Sequence, residues 1–142
     1  PNQEDSRIAW AAPWIAEQFK LSKLYASIAI VDDETMRQLN AERLGHDWPT
    51  DVISFAFEYG PETSGEIIAS WDTAQRLSPT AGWSSCDELV LYIVHGLLHL
   101  VGLDDVDPDG KTKMRQAEYE YLRDAGVAGA AEYLERFDDV SY

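Results

Sequence analysis

The sequence has 142 residues, of which 45% are hydrophobic and 26% are charged; this composition is typical of one globular domain and excludes a largely disordered chain. Its 26 acidic and 11 basic residues give a net charge of −15, which argues against non-specific coating of DNA or of an anionic membrane. No apolar run is long enough to span a bilayer. The single cysteine, Cys86, and the absence of a signal-peptide pattern favour a reducing, cytoplasmic location.

The first half of the chain predicts two helices separated by a strand. Apolar residues recur at spacings of three and four over residues 7–20, which predicts an amphipathic helix with Ser6 as its N-cap. Residues 24–31 alternate and are rich in β-branched side chains, as in a strand. A short helix capped by Asp32 and Asp33 is predicted to end near Arg43.

The middle of the chain predicts two further strands and a short helix. Residues 51–58 are apolar on both faces, so we expect a central strand there. Residues 59–65 are rich in turn-forming types and predict a connection. A third strand is predicted over 66–70, followed by a short helix over 72–77.

The most strongly indicated element is a buried helix. Ser85 and Glu88 have the spacing of a capping box, and residues 89–101 are apolar nearly all round, as in a helix enclosed by the rest of the domain. Gly102 is typical of the residue that follows a helix C-cap.

An acidic loop over 104–109 follows, and then helices over 111–125 and about 128–137. This order predicts an α+β fold: a small mixed sheet surrounded by helices, with one buried central helix that carries the histidines described next. No repeat, low-complexity segment or linker divides the sequence, so residues 1–142 are expected to form a single domain.

Two of the three histidines have the spacing of metal ligands. His95 and His99 lie one turn apart on one face of the predicted buried helix, where both can bind one ion. The alternative is two core histidines that hydrogen-bond to backbone or carboxylate groups. Gly102 allows a sharp turn that returns Asp105 over the imidazoles as a third ligand. Gly96 follows His95 where zinc proteases have a glutamate base, so peptide cleavage is disfavoured.

The acidic loop has two other interpretations. Asp105, Asp107 and Asp109-Gly110 resemble the first half of an EF-hand calcium loop, but its twelfth position would be Gln116 instead of a bidentate glutamate. The simpler alternative is a solvated turn in which Asp107 or Asp109 caps the next helix.

The stretch from His95 to Asp105, HGLLHLVGLDD, resembles the YbeY family signature HGxLHLxGYDH. Residues 49–55 (PTDVISF) are similar to the family's PTDVLSF segment, and residues 65–70 (GEIIAS) to its next strand, GDIxIS. The resemblance covers about residues 8–125 and leaves 126–142 as a C-terminal extension. The family's leading strand has no counterpart ahead of the first predicted helix.

The resemblance implies a metal-dependent single-strand endoribonuclease that acts in maturation of small-subunit ribosomal RNA in the cytoplasm. The implied partners are ribosomal RNA and the small ribosomal subunit, without a membrane and without DNA. It also implies one Zn²⁺ per chain, held by His95, His99 and Asp105. The same donor set suits Fe²⁺ or Mn²⁺, so a small-substrate metal hydrolase or Fe(II) oxygenase stays open as an alternative.

Two departures from the family pattern bear on catalysis. The family's third ligand is a histidine, and Asp105 lowers the net charge of a zinc site by one unit, which weakens polarisation of a phosphate. The family's functional arginine aligns with Leu44. Arg43, one residue earlier and therefore about 100° away around a helix, is retained as a catalytic candidate. A catalytically weakened ribosome-assembly factor of the same family is therefore the second hypothesis.

Lys111, Lys113 and Arg115 form the basic cluster nearest to the predicted metal loop. They are predicted to bind RNA, with an affinity that is weak and steeply dependent on salt; the alternative is a solvated helix face. His46 precedes the Thr50-Asp51 strand and is placed to approach the groove. No residue stands out as a general base.

Overall fold

The computed structural model describes residues 5–135, which form six α-helices and a three-stranded sheet. In chain order the elements are α1 (Ser6–Gln18), β1 (Lys23–Val31), α2 (Asp33–Leu44), β2 (Val52–Glu58), β3 (Glu62–Ser70), α3 (Trp71–Ala81), α4 (Ser85–Leu100), α5 (Pro108–Asp124) and α6 (Ala130–Glu135). The predicted α+β architecture, with a small mixed sheet and a buried central helix, is confirmed. The part of the last predicted helix beyond Glu135 lies outside the described residues.

The central strand of the sheet is β3, so the prediction that residues 51–58 form it is wrong. β3 pairs with β1 in parallel and with β2 in antiparallel orientation. β2 is apolar on both faces because helices cover both. Ile53 and Phe55 pack towards Met36 of α2, and Val52 and Ala56 pack against the main core around α4.

β3 begins at Glu62, four residues before the predicted strand. Gly65, which the prediction placed in the preceding turn, lies inside the strand. A Cβ atom at Gly65 would lie 2.4 Å from the carbonyl oxygen of Phe55 and 2.7 Å from the side chain of Leu100. This glycine therefore permits close packing between strand and helix, a role that composition does not distinguish from a turn.

The start of α4 differs by one residue from the predicted capping box. Ser84 is the N-cap: its hydroxyl accepts from the Asp87 amide at 3.0 Å, and the Asp87 carboxylate accepts from the Ser84 amide at 3.3 Å. Ser85 and Glu88 offer the same spacing one position later. Glu88 is instead buried and accepts a hydrogen bond from the indole of Trp83 at 2.6 Å. It is therefore not available to cap the helix, and the capping box is formed by Ser84 and Asp87.

The end of α4 prepares the candidate site. Val101 is the C-cap and Gly102 follows it with φ of +104°, the left-handed conformation that glycine adopts without strain. The chain reverses there, and α5 starts at Pro108, with Asp107 as the N-cap that accepts from Gly110 N at 2.6 Å. None of the helices in the described part of the chain has the length and apolarity needed to cross a membrane.

Candidate metal centre

The side chains of His95, His99 and Asp105 converge at the end of α4. The two Nε2 atoms of the histidines lie 3.0 Å apart, and Asp105 Oδ2 lies 3.9 Å from His95 Nε2. One ligand atom from each residue lies within 4.8 Å of the other two. Within residues 5–135 this is the only group of three or more His, Cys, Asp or Glu side chains that meets in this way.

These separations fit a bound divalent ion. Two donors that each lie about 2.1 Å from one tetrahedral ion are about 3.4 Å apart, and the two measured distances fall on either side of that value. Two imidazoles and one carboxylate are also a donor set that zinc accepts in catalytic sites, where a fourth position stays open. The three residues can therefore hold a metal.

A buried carboxylate on α5 determines which nitrogen of His95 faces the cluster. Glu118 is fully buried, and its Oε2 lies 2.7 Å from His95 Nδ1. Because a carboxylate only accepts hydrogen bonds, Nδ1 carries the proton, and Nε2 keeps its lone pair towards His99 and Asp105. Glu118 is not among the site residues predicted from the sequence, although an acidic residue four positions after the apolar Met114 on one helix face is a usable signal.

His99 is kept neutral by its surroundings. Burial, followed by the electrostatic effect of His95, lowers the pKa of His99, and the nearby Asp105 opposes this shift. Neutral imidazole is the form that binds a metal ion. His99 is therefore in its ligating form at neutral pH.

The predicted basic cluster does not form, because Arg115 is buried. Its guanidinium, 1% exposed, donates to Glu118 Oε1 at 3.3 Å from behind the metal centre. The prediction that Arg115 belongs to an RNA-binding surface is therefore wrong. Lys111 and Lys113 remain exposed at the start of α5, and Lys113 forms an ion pair with Asp109 at 3.1 Å.

A cleft of about 520 Å³ opens beside the metal centre. The cleft is lined by His95, His99 and Asp105, and also by the loop between α2 and β2 and the first residues of β2. His46 and Trp48 of that loop are among the lining residues. Among the described residues that line the cleft, none is a lysine or an arginine.

The carboxyl group of Asp51, immediately before β2, lies in the lining of the same cleft. Asp51 is 8% exposed, and its Oδ1 accepts from Val52 N at 2.8 Å and from Thr50 Oγ1 at 3.3 Å. Burial raises the pKa of Asp51, an effect that His95 and the Val52 amide partly offset. From the sequence, Asp51 is predicted only as part of the PTDVISF segment. The signal for a functional role is a charged residue directly before an apolar strand.

Arg43 points away from this cleft. Its guanidinium pairs with the Glu66 carboxylate and lies 5.1 Å from the centre of the Phe55 ring, whereas Leu44 lines the cleft. The one-residue offset turns the arginine to a different side of α2. Arg43 therefore does not line the cleft in this structure, and its catalytic role stays a prediction.

The acidic loop does not form an EF-hand calcium site. Asp104 accepts from Val106 N at 3.3 Å, Asp107 caps α5, and Asp109 is exposed and paired with Lys113. The carboxylates of this loop therefore serve separate local contacts, while Asp105 alone turns towards the histidines.

Comparison with known proteins identifies a family. A family model described as Endoribonuclease YbeY matches residues 3–126. Proteins named Endoribonuclease YbeY from Rhodopirellula baltica and Salinibacter ruber are each 41% identical to the chain, over alignments of 123 and 110 residues that cover 79% and 71% of this chain. The matched stretches are 63% and 70% of those two relatives' lengths. The protein from Heliobacterium modesticaldum is 36% identical over an alignment of 123 residues, which covers 77% of this chain and 74% of that protein.

A solved structure has the same fold. The solution structure of TM1509 from Thermotoga maritima superposes with a TM-score of 0.64 and 19% sequence identity, and the match covers 95% of this chain and 91% of that chain. At this identity the similarity supports the fold alone.

Proposed function

The chain belongs to the YbeY family, and from that premise we propose that it is a metal-dependent endoribonuclease that cleaves single-stranded RNA. The observation that carries the proposal is the convergence of His95, His99 and Asp105 beside an open cleft. We further propose that its substrate is ribosomal RNA of the small subunit, that it acts in the cytoplasm, and that the small subunit is its partner, as the motif resemblance implies.

The ion that we propose is zinc, one per chain, with Fe²⁺ or Mn²⁺ as substitutes for the same donor set. A divalent cation held by His95, His99 and Asp105 supplies Lewis-acid stabilisation of the negative charge that develops on the phosphate oxygens during cleavage. Glu118 supports this role because it keeps the His95 ring in the tautomer whose Nε2 lone pair is available.

Asp51 is the group that we assign to proton transfer. It lines the same cleft as His95, His99 and Asp105, so a phosphodiester bound in this cleft lies beside both a carboxylate and the proposed metal ligands. The nucleophile is the hydroxyl group of a water molecule or of a ribose. The oxygen of this hydroxyl attacks phosphorus while the Asp51 carboxylate accepts the hydroxyl proton, and the leaving ribose oxygen takes a proton from water. Burial favours this role because a less solvated carboxylate is a stronger base.

The second candidate is an assembly factor of the same family with weakened catalysis. The specific observation in its favour is that Leu44 occupies the wall position where the family resemblance places an arginine, and no described lysine or arginine replaces it in the cleft. A small-substrate metal hydrolase or Fe(II) oxygenase would be distinguished by the identity of the bound metal and by dependence on O₂.

The test measures metal content and RNA cleavage in the same preparations. Wild-type protein loaded with zinc should retain about one ion per chain after desalting and should cut a single-stranded RNA but not the matching DNA. His95→Ala and His99→Ala should lose both properties. Arg123→Ala, which removes an exposed ion pair with Asp124 at the end of α5, outside the cleft lining, is the matched control and should keep both. Equal and negligible metal in wild type and His99→Ala would overturn the proposal, whereas normal metal content without cleavage would favour the assembly factor.

A further inference from the structure

Two stacked aromatic rings line the cleft. The imidazole of His46 and the indole of Trp48 are stacked, with their centres 4.7 Å apart and their planes 7° apart, and both residues line the cleft. Trp48 is nevertheless 56% exposed. A large indole surface therefore faces solvent directly beside the metal centre.

The loop that carries these rings is anchored to the fold. The side-chain amide of the buried Asn40 donates to the Trp48 carbonyl oxygen at 2.8 Å, and the His46 amide donates to the Asn40 carbonyl oxygen at 3.2 Å. Both contacts connect the loop to α2. The stacked pair is therefore held in place before any ligand binds, which reduces the entropy lost on binding.

We propose that the His46–Trp48 pair is a binding site for an unpaired nucleobase of the RNA, an inference that rests on the proposed function. The cleft walls carry no lysine or arginine among the described residues, and the chain has a net charge of −15, so phosphate contacts supply little affinity at this site. Stacking on aromatic rings is the sequence-tolerant alternative by which proteins hold single strands. A base in a duplex is already covered on both faces, so this surface selects unpaired RNA.

The proposal changes the expected response to salt. Affinity that comes from phosphate contacts falls steeply with salt. For single strands, the logarithm of the binding constant falls by about 0.7 per phosphate contact for each tenfold rise in salt concentration. With Arg115 buried and the cleft free of described lysine and arginine, we expect less than a tenfold loss of affinity between 50 and 200 mM salt. This replaces the steep dependence expected from a cluster of three exposed cations.

The test is binding of a fluorescent single-stranded RNA to protein kept in chelator, so that no cleavage interferes. Trp48→Ala should weaken binding by about five- to 150-fold, the effect of one base stacked on an aromatic side chain, and Trp48→Tyr should restore it to within about threefold. Trp10→Ala removes an exposed tryptophan on α1, away from the cleft, and should leave the affinity unchanged. Circular dichroism and thermal melting confirm that each variant is folded.

Equal affinity of wild type and Trp48→Ala would overturn the base site, and so would absence of saturable binding by wild type. Failure of Trp48→Tyr to restore binding would also overturn it, because a ring is then not what the RNA requires. Cleavage is measured separately with zinc. If RNA binding depends on Trp48 but no cleavage occurs, the base site is supported and the nuclease activity is contradicted. If RNA is cleaved but Trp48→Ala binds normally, the nuclease activity is supported and the base site is contradicted.

A separate observation concerns α6, which lies beyond residue 126, where the family match ends. The fully buried Tyr133 donates its hydroxyl to Glu118 Oε1, and Arg115 Nη1 lies 3.4 Å from that hydroxyl oxygen. The Tyr133 ring also stacks on Trp83, with centres 5.8 Å apart and planes 13° apart. The helix therefore inserts a fixed phenol behind the carboxylate that holds His95.

We infer that Tyr133 is a positioning residue for the metal centre. Tyr133 and Arg115 both donate to Oε1 of Glu118 and leave Oε2 to the His95 Nδ1 proton. Groups that orient a ligating histidine contribute measurably to metal affinity. Tyr133 acts one step further away, through Glu118, so its effect on affinity is expected to be smaller than that of Glu118 itself.

The test compares two buried tyrosines by zinc affinity, measured by competition with a chelator. Tyr133→Phe should raise the zinc Kd by about three- to tenfold and should change the imidazole nitrogen chemical shifts of His95. Tyr121→Phe is the matched control, because its buried hydroxyl donates to the backbone carbonyl of Arg7; it should lower the melting temperature but keep the zinc Kd within twofold. The inference would be overturned if Tyr133→Phe kept the wild-type zinc Kd and chemical shifts, or if both variants lost the same amount of zinc affinity. Absence of zinc binding by wild type would also overturn it. None of these readouts depends on RNA cleavage.

Discussion

Glu118 Oε2 lies 2.7 Å from Nδ1 of His95, across 23 positions of sequence and between two packed helices. The carboxylate and the imidazole are both buried, so the contact is shielded from water and keeps the proton on Nδ1. This one hydrogen bond decides that His95 presents the lone pair of its Nε2 atom to His99 and Asp105 and not to the protein interior.

Replacing that carboxylate with an amide should weaken metal binding. Glu118→Gln keeps the shape of the side chain but removes the charge that favours the Nδ1–H tautomer, so we expect the zinc Kd to rise about 10- to 100-fold. Competition with a chelator at pH 7 measures this. A folded Glu118→Gln variant with the wild-type Kd would contradict the orienting role.

The charge of the third ligand should control the rate of cleavage. Asp105→His gives three neutral ligands and a site one unit more positive, which stabilises developing phosphate charge more strongly. We expect a higher cleavage rate per bound zinc, by about tenfold. Asp105→Asn is the companion variant: it also removes the charge but is a poorer ligand, and it should lose zinc. Equal rates for wild type and Asp105→His at full zinc occupancy would show that ligand charge is not limiting.

A cation restored to the cleft wall should assist RNA cleavage. Leu44 lines the cleft and Arg43 does not, so Leu44→Arg is expected to raise the cleavage rate about tenfold. It should also steepen the salt dependence of RNA binding, by about 0.7 in the slope of log affinity against log salt concentration. Arg43→Ala is the control, because it removes only the contact with Glu66 and Phe55. If Arg43→Ala lost activity and Leu44→Arg gained none, the assignment of the two positions would be reversed.

The stability of the fold should depend on Asp33 at acid pH. Asp33 Oδ1 accepts from the hydroxyls of Ser70 at 2.9 Å and Thr73 at 3.1 Å, and Oδ2 accepts from Arg76, so the carboxylate ties α2 to the start of α3. Burial acts to raise the pKa of Asp33, but these hydrogen bonds and the Arg76 charge outweigh it and lower the pKa. A lowered folded-state pKa stabilises the protein above the unfolded pKa, about 3.9, and the effect disappears as pH falls through the folded value.

We therefore expect Asp33→Asn to lose about 1 to 2 kcal/mol of stability at pH 7, the typical cost of weakening hydrogen bonds to a charged group. The difference from wild type should shrink below pH 4. Urea unfolding at pH 7, 5, 4 and 3 measures it, with Asp47→Asn, which affects an exposed ion pair, as the control. A difference that stayed constant from pH 7 to pH 3 would mean that the carboxylate charge is not its source.

Several features of this protein follow from local sequence alone. The four-residue spacing of His95 and His99 places both rings on one helix face whatever surrounds the helix. Gly102 supplies the left-handed residue at which the chain turns towards Asp105. Both depend on neighbours within about ten positions, so the ligand set and the buried helix could be predicted without knowledge of the packing.

The tertiary structure alone decided the surroundings of those ligands. Glu118, Asp51 and Arg115 are charged residues whose spacing does not distinguish a buried partner from a solvated one. Their roles depend on which helix or strand packs opposite them, and those elements are distant in sequence. The same reason explains why the apolar residues 51–58 form an edge strand. The local pattern of apolar residues indicates that both faces of the strand are covered by other elements. Only the assembled sheet determines which strand lies in the middle.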